Sequence, residues 1–183
     1  TLDRLLQRCA GRKNVEHSDL DLEARGLQIT RRGLLRVSVV LRKMTHGDLD
    51  RVLEIENSAF STPWSRSAFE AELRDDSKAH YLVACKGEDV IGYIGGWFIF
   101  DEAHITNIAV DVRYRGQGVG KQLLSGFIDY CKGRSIKRMT LEVRKSNHVA
   151  IGLYEKHGFR TLGVRRGYYV DTREDALLMW KEL

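Results

Sequence analysis

The chain has 183 residues, of which 43% are apolar and 30% charged, with a single proline. That is long enough for one domain with a sizeable core and too rich in apolar residues for a disordered chain. No run approaches the roughly 18 apolar residues of a membrane-spanning helix, and the net charge of +5 is what a solvated surface ordinarily leaves, though it is compatible with an acidic partner or an RNA-rich particle.

Residues 1–33 read differently from the rest. Leu2, Leu5, Leu6 and Cys9 fall on one face of a short helix predicted over Thr1 to Arg12, and Lys13 to Gly33 is polar and thin in large apolar groups. We treat 1–33 as an extension with no assigned role and 34–183 as the folded domain. The chain opens at Thr1 without a methionine, as a processed, trimmed or fused segment would, and has no apolar secretory region followed by a cleavage site. A cytoplasmic protein is expected.

Leu35, Val37, Val39 and Leu41 alternate as a strand, in an apolar run interrupted by Arg36. Thr45-x-x-Asp48 resembles a capping box before a helix carrying Leu49, Val52, Leu53 and Ile55. A loop holds Pro63-Trp64, and Ser65 caps a second helix through Leu73. Tyr81–Ala84 and Val90–Ile94 then read as a hairpin turned at Gly87-Glu88-Asp89, followed by a strand ending at Val110.

Arg113-Tyr114-Arg115-Gly116-Gln117-Gly118-Val119-Gly120-Lys121 follows that strand. Glycines at 116, 118 and 120 allow tight backbone bending, and a helix N-terminus behind them favours a phosphate. The spacing is neither G-x-G-x-x-G nor a Walker loop, because Gln122 follows Lys121. On spacing alone, a pyrophosphate cradle and a plain tight connection are both open.

The helix after the loop places Val119, Leu123, Leu124, Phe127, Ile128 and Cys131 on one face and stops at Gly133. Met139, Leu141 and Val143 alternate as a strand, putting Thr140, Glu142 and Arg144 on its other face. Asn147 caps a further helix through His157, with Gly158 as its stop and Gly152 in its middle, a costly place for glycine unless something packs closely there. Strands over Phe159 to Val164 and Ala176 to Trp180 close the chain. This order of elements predicts a three-layer α/β or α+β fold. Cys9, Cys85 and Cys131 are odd in number and far apart, which suits reduced thiols, and the last two fall in core patterns. The six histidines are scattered, so no metal is expected.

Glu142, Asn147 and Tyr154 have ordinary readings one by one, as a surface carboxylate, a cap and a packed aromatic. Together with the glycine loop they carry a resemblance. Arg115-x-x-Gly118-x-Gly120 after Asn107-Ile108-Ala109-Val110, and Asn147-x-x-Ala150-x-x-Leu153-Tyr154-x-x-x-Gly158-Phe159, resemble successive motifs of the GNAT superfamily of N-acetyltransferases. Phe60-Ser61-Thr62-Pro63-Trp64-Ser65, Leu141-Glu142-Val143-Arg144-x-Ser146-Asn147, and Arg165-Arg166-x-Tyr168-Tyr169 with Glu174-Asp175-Ala176 resemble the ribosomal-protein-alanine N-acetyltransferase (RimI-type) family within it. The likeness spans about residues 37 to 183.

The resemblance implies the GNAT fold, a central mixed, mostly antiparallel sheet with helices on both faces. It implies acetyl-CoA as co-substrate: Ile108, Ala109 and Val110 would pair with the pantetheine arm, Arg115, Gly116, Gln117, Gly118, Val119, Gly120 and Lys121 would hold the pyrophosphate, and Asn147 would touch the cofactor. Glu142 would be the general base and Tyr154 the general acid, while Trp64, Tyr168 and Tyr169 would shape the acceptor slot. The acceptor implied is a protein N-terminus, that of a small-subunit ribosomal protein, with no direct nucleic-acid or membrane partner and a monomeric enzyme. A lysine or small-amine acceptor on the same fold is the second reading. A nucleotide- or RNA-binding module using Arg31, Arg32, Arg165 and Arg166 is the third, and it leaves Glu142 and Tyr154 unexplained.

The chemistry favours the first. A peptide α-amine, with a pKa near 7.7–8.0, is roughly a quarter neutral at about pH 7.4, against about 0.1% for lysine. An N-terminal acceptor therefore asks less of its base. No cysteine sits where a covalent nucleophile would be needed, so direct transfer is expected.

Overall fold

The computed structural model describes residues 27–29, 35–74 and 77–183. The helix predicted over Thr1 to Arg12, and Cys9 with it, lie outside these residues. Strands β1 (Leu27–Ile29) and β2 (Leu35–Val37) form a small antiparallel ladder. The elements that follow are β3 (Val39–Lys43), α1 (Leu49–Ala59), α2 (Arg66–Arg74), β4 (Ala79–Lys86), β5 (Asp89–Ile99), β6 (Glu102–Val110), α3 (Val119–Lys132), β7 (Arg138–Arg144), α4 (His148–Lys156), β8 (Arg160–Tyr169) and β9 (Glu174–Glu182).

Strands β3 to β9 form one seven-stranded sheet in the order β3-β4-β5-β6-β7-β9-β8. All its ladders are antiparallel except β6–β7, which are parallel because α3 carries the chain back across the sheet between them. The helices divide between the two faces. Leu49, Val52 and Ile55 of α1 and Phe69 of α2 pack on Tyr81, Val83, Tyr93 and Ala109. Leu123, Leu124, Phe127, Ile128 and Cys131 of α3, with Tyr154 of α4, pack on Ile91, Ile94, Ile105, Met139 and Leu141. Each large apolar side chain so buried contributes about 1.5–3 kcal/mol. This three-layer arrangement is the one expected from the element order.

Local chemistry explains the joins. The Asp48 carboxylate accepts from the Thr45 backbone N–H (2.8 Å) and hydroxyl (2.9 Å), so the box closes with Asp in place of Glu, over a short 3-10 turn ahead of α1. Ser65 Oγ accepts from the Ala68 N–H (3.2 Å) as a cap of α2. In β6, Thr106 is an extra residue opposite the Gly95–Gly96 step of β5. A Cβ at Gly95 would lie 1.9 Å from the Tyr81 ring, so only glycine fits there.

The apolar alternation over Leu35 to Leu41 is not one strand. It divides at Ser38 into β2, which pairs with β1, and β3, which pairs with β4. Strand β8 runs to Tyr169 rather than ending at Val164, because it is the exposed edge and its side chains carry no apolar alternation. Nothing packs against Gly152: a Cβ there would meet no atom within 4 Å.

One register decides where a ligand can enter. The last parallel pair between β6 and β7 is Ile105–Leu141, yet β6 continues to Val110 and β7 to Arg144. Beyond that pair the two central strands part. Ile108, Ala109 and Val110 pair with Ile94, Tyr93 and Gly92 of β5, and their other edge faces the opening.

Candidate active site

The glycine loop is anchored before it bends. Asp111, 5% exposed, accepts from the Arg113 backbone N–H and from Arg113 Nη2, both at 2.8 Å, and from Arg51 Nη2. Its own N–H donates to the Ile91 carbonyl (2.9 Å). Arg115 Nε donates to the Val110 carbonyl (3.1 Å) and Gln117 Nε2 to the Arg113 carbonyl (2.9 Å). Gly116 and Gly118 then adopt φ of +74° and +82°, a region that a side chain disfavours, with no atom within 4 Å of a Cβ at either. The first bond of α3 runs from the Gln122 N–H to the Gly118 carbonyl (3.0 Å). The N–H groups of Val119, Gly120 and Lys121 belong to the first turn, which an α-helix leaves without internal acceptors. Open space above the glycines, first-turn donors and the cations Arg115 and Lys121 fit a pyrophosphate.

Gly120 touches the next motif. A Cβ there would lie 3.6 Å from Leu153 Cδ2, so the start of α3 and the body of α4 are neighbours. Asn147 Oδ1 accepts from the Ala150 N–H (3.1 Å), capping α4. Two residues past the helix midpoint, Tyr154 is 5% exposed, its ring 5.8 Å from Phe159. Burial pushes its phenol well above the ordinary range, with the neighbouring Tyr169 adding to the effect.

Glu142 lies in the middle of β7 with only 6% of its side chain exposed, and both its oxygens are engaged. Oε2 is 3.0 Å from His104 Nε2 on β6, and Oε1 is 3.1 Å from Arg165 Nη2 on β8. His104 Nδ1 in turn lies 3.0 Å from Thr140 Oγ1, and the imidazole stacks on Trp97. The His104 hydrogen bond and charge, with Arg165 assisting, hold the Glu142 carboxyl below the usual range against the opposing effect of burial. These residues line an open cleft of about 360 Å³, with Ile99, Glu102 and Tyr168 completing its wall.

Tyr168 and Tyr169 meet edge to face at 5.2 Å, and the Arg144 guanidinium stacks 3.9 Å above the Tyr169 ring. Burial raises the Tyr169 phenol to about 12, and Glu142 adds to that rise. Arg144 also holds Asp171 (2.7 Å), whose carboxylate accepts from Ser61, tying the Phe60–Ser65 loop to the β8–β9 hairpin. Trp64 packs on Phe69 (5.6 Å) and donates its backbone N–H to Glu56 (2.9 Å), and it does not line the Glu142 cleft.

The structure therefore brings Glu142 and Tyr168 into one cleft. It places the glycine loop and Asn147 at the starts of neighbouring helices. The sequence singles out none of His104, Trp97 and Glu102, and marks Arg165 only within the Arg165-Arg166-x-Tyr168-Tyr169 motif and as a basic residue of the nucleic-acid-binding alternative. The signal for His104 was its phase on β6, two residues after Glu102 on the less buried face of an alternating strand. Cys85 and Cys131 are buried, as their apolar contexts implied. Among the described residues no cluster of His, Cys, Asp or Glu is arranged to hold a metal ion, and no helix is long and apolar enough to cross a membrane.

Comparison with known proteins agrees with this geometry. The model of the acetyltransferase (GNAT) family matches residues 49–159. A Bacillus subtilis (strain 168) protein, provisionally named a [ribosomal protein bS18]-alanine N-acetyltransferase, is 44% identical over 146 residues, covering 80% of this chain and 97% of its own length. The [ribosomal protein bS18]-alanine N-acetyltransferase of Escherichia coli (strain K12) is 38% identical over 134 residues, covering 72% of this chain and 89% of its own. The crystal structure of the ribosomal-protein-S18-alanine N-acetyltransferase from Escherichia coli superposes with a TM-score of 0.74 at 33% identity, covering 79% of this chain and 94% of that one. The sheet that parts beside Glu142, the glycine loop and the matched motifs carry the same assignment: the chain belongs to the GNAT family of acetyltransferases and is an N-acetyltransferase.

Proposed function

We propose that the protein transfers the acetyl group of acetyl-CoA to the N-terminal α-amine of a protein, with Glu142 as general base and Tyr154 as general acid. The names of its relatives point to the alanine at the N-terminus of ribosomal protein bS18 as the acceptor. The observation that carries the reading is the buried Glu142 carboxyl, paired with His104 and Arg165 and set in an open cleft on the strand pair that parts after Ile105–Leu141. Residues 34–183 form the catalytic domain in this reading, acting as a cytoplasmic monomer.

Acetyl-CoA supplies a thioester acyl carbon to the site. The free edge of Ile108–Val110 hydrogen-bonds the amides of the pantetheine arm, and the loop from Arg115 to Lys121 holds the pyrophosphate through first-turn N–H groups and positive charge. Asn147 contacts the cofactor from the start of α4. Trp64, Tyr168 and Tyr169 shape the approach of the peptide.

Because its pKa is held low, Glu142 is ionised wherever an α-amine is neutral. It is a weak base toward a free ammonium, so it takes the proton as the carbon–nitrogen bond forms, when the nitrogen is most acidic. Tyr154 stays protonated because burial disfavours its phenolate. It gives that proton to the sulfur as the carbon–sulfur bond breaks. With ordinary values near 10 for a phenol and 8.5 for a thiol, this transfer is uphill by about 2 kcal/mol. A thiolate leaving in the same dry surroundings is itself made more basic, which keeps the gap small.

The test is CoA release from acetyl-CoA with an alanine-headed peptide and with free lysine. Release with the peptide alone is expected, and release with lysine alone would overturn the acceptor assignment. Tyr154→Phe is expected to lower kcat by tenfold or more while leaving the KM for acetyl-CoA near the parent's. An unchanged kcat would remove Tyr154 from the chemistry.

A further inference from the structure

The cleft at Glu142 is lined by two carboxylates, and an arginine holds each. Glu142 pairs with Arg165 at 3.1 Å and Glu102 with Arg138 at 3.0 Å. His104 occupies the second oxygen of Glu142 at 3.0 Å. Glu142 is faced by His104 from β6 and by Arg165, Tyr168 and Tyr169 from β8, while Leu178, its partner in register on β9, is apolar. An acceptor amine entering this cleft finds polar groups but no carboxylate left without a cation.

That balance bears on which form of the amine can bind. An ammonium must shed water on entering, and without a free counter-charge that loss is not compensated. A neutral amine has no such requirement. The geometry points to Arg165 as a specificity-determining residue: by occupying Glu142 it makes the cleft admit its acceptor as the free amine and turn away an ammonium, so that a protein N-terminus is selected over a lysine side chain. This rests on the acceptor proposed above.

The scale of the selection follows from the amines themselves. An α-amine near 7.7–8.0 and a lysine near 10.4 differ roughly 300-fold in neutral fraction at neutral pH. A site that binds only the neutral form makes lysine a poor ligand as well as a poor nucleophile. A site with an unpaired carboxylate would instead fill with ammonium, which cannot react.

Kinetics with an alanine-headed peptide at saturating acetyl-CoA, from pH 6 to 8.5, separate the two cases. In the parent, KM for the peptide is expected to rise about tenfold for each pH unit below the amine's pKa while kcat holds. In Arg165→Gln, Glu142 Oε1 loses its guanidinium, the ammonium binds there unproductively, and kcat is expected to fall over that range while KM levels off. Arg165→Lys restores the charge and should restore the parent pattern. His104 is present in all three proteins, so its own contribution cancels in the comparison. Arg165→Gln with the parent's pattern, or Arg165→Lys with that of Arg165→Gln, would overturn the inference while leaving the acceptor assignment intact. Absence of CoA release from the peptide by the parent at every pH would overturn the assignment itself.

Discussion

Two glutamates have buried side chains, one on strand β7 and one on helix α1, and their surroundings push them in opposite directions. The Glu142 side chain is 6% exposed and meets a guanidinium and an imidazole, and its pKa falls. Glu56 is 1% exposed and meets only neutral donors: the Trp64 N–H at 2.9 Å, Asn107 Nδ2 at 3.4 Å and the Tyr93 hydroxyl. Burial dominates there, and its pKa rises. Depth alone does not set the protonation state of a carboxylate; the charge of its donors does. Glu142 sits in an open cleft where an ionised base has a use. Glu56 joins α1, the Trp64 loop, β5 and β6, and its role is to hold them.

The largest expected effect separates chemistry from architecture. Glu142→Gln should lower kcat by about 10²–10⁴-fold, the range for losing a general base, with little change in fold. Glu56→Gln should keep kcat within a few-fold of the parent. Steady-state CoA release on both variants measures this, and equal losses would erase the distinction.

A smaller effect concerns stability. Tyr93→Phe removes a donor from a buried carboxylate and should cost about 1–3 kcal/mol, read by thermal or urea unfolding. Arg165→Gln removes a donor from Glu142, but that arginine is 53% exposed, so its cost should stay within about 1 kcal/mol.

The smallest effect is the sign of a pH dependence. A carboxylate whose folded pKa is lowered stabilises the fold above its unfolded value of about 4.3, and that stability is lost as pH falls through the folded value. One whose folded pKa is raised contributes stability below about 4.3 and loses it as pH rises through the folded value. Glu142→Gln should therefore depress Tm more at pH 7 than in acid, and Glu56→Gln more in acid than at pH 7. Dependences of the same sign would show that the two carboxylates do not differ as described.

How much of this was legible beforehand varies along the chain for physical reasons. Helix α3 was readable because its buried face recurs every three to four residues, and β7 because Met139, Leu141 and Val143 alternate. Strand β8 was cut short at Val164 because an exposed edge strand has no apolar period to read. The family resemblance puts Trp64 at the acceptor slot, and the structure seats its ring on Phe69, a contact between side chains that no local pattern announces. His104 had only its phase on β6 to mark it and Arg165 only its place beside Tyr168-Tyr169, since each acquires its role by meeting Glu142 from another strand.

The sequence by itself determined the alternation of elements, the glycine-rich turn before α3, the cap at Asn147 and the family, because each depends on neighbours within a few residues or on ordered motifs. Tertiary structure alone decided that β6 and β7 part after Ile105–Leu141 and that Arg165 and His104 converge on Glu142. Those contacts join strands distant in the chain, and the protonation state of a buried carboxylate depends on the charges that folding brings to it.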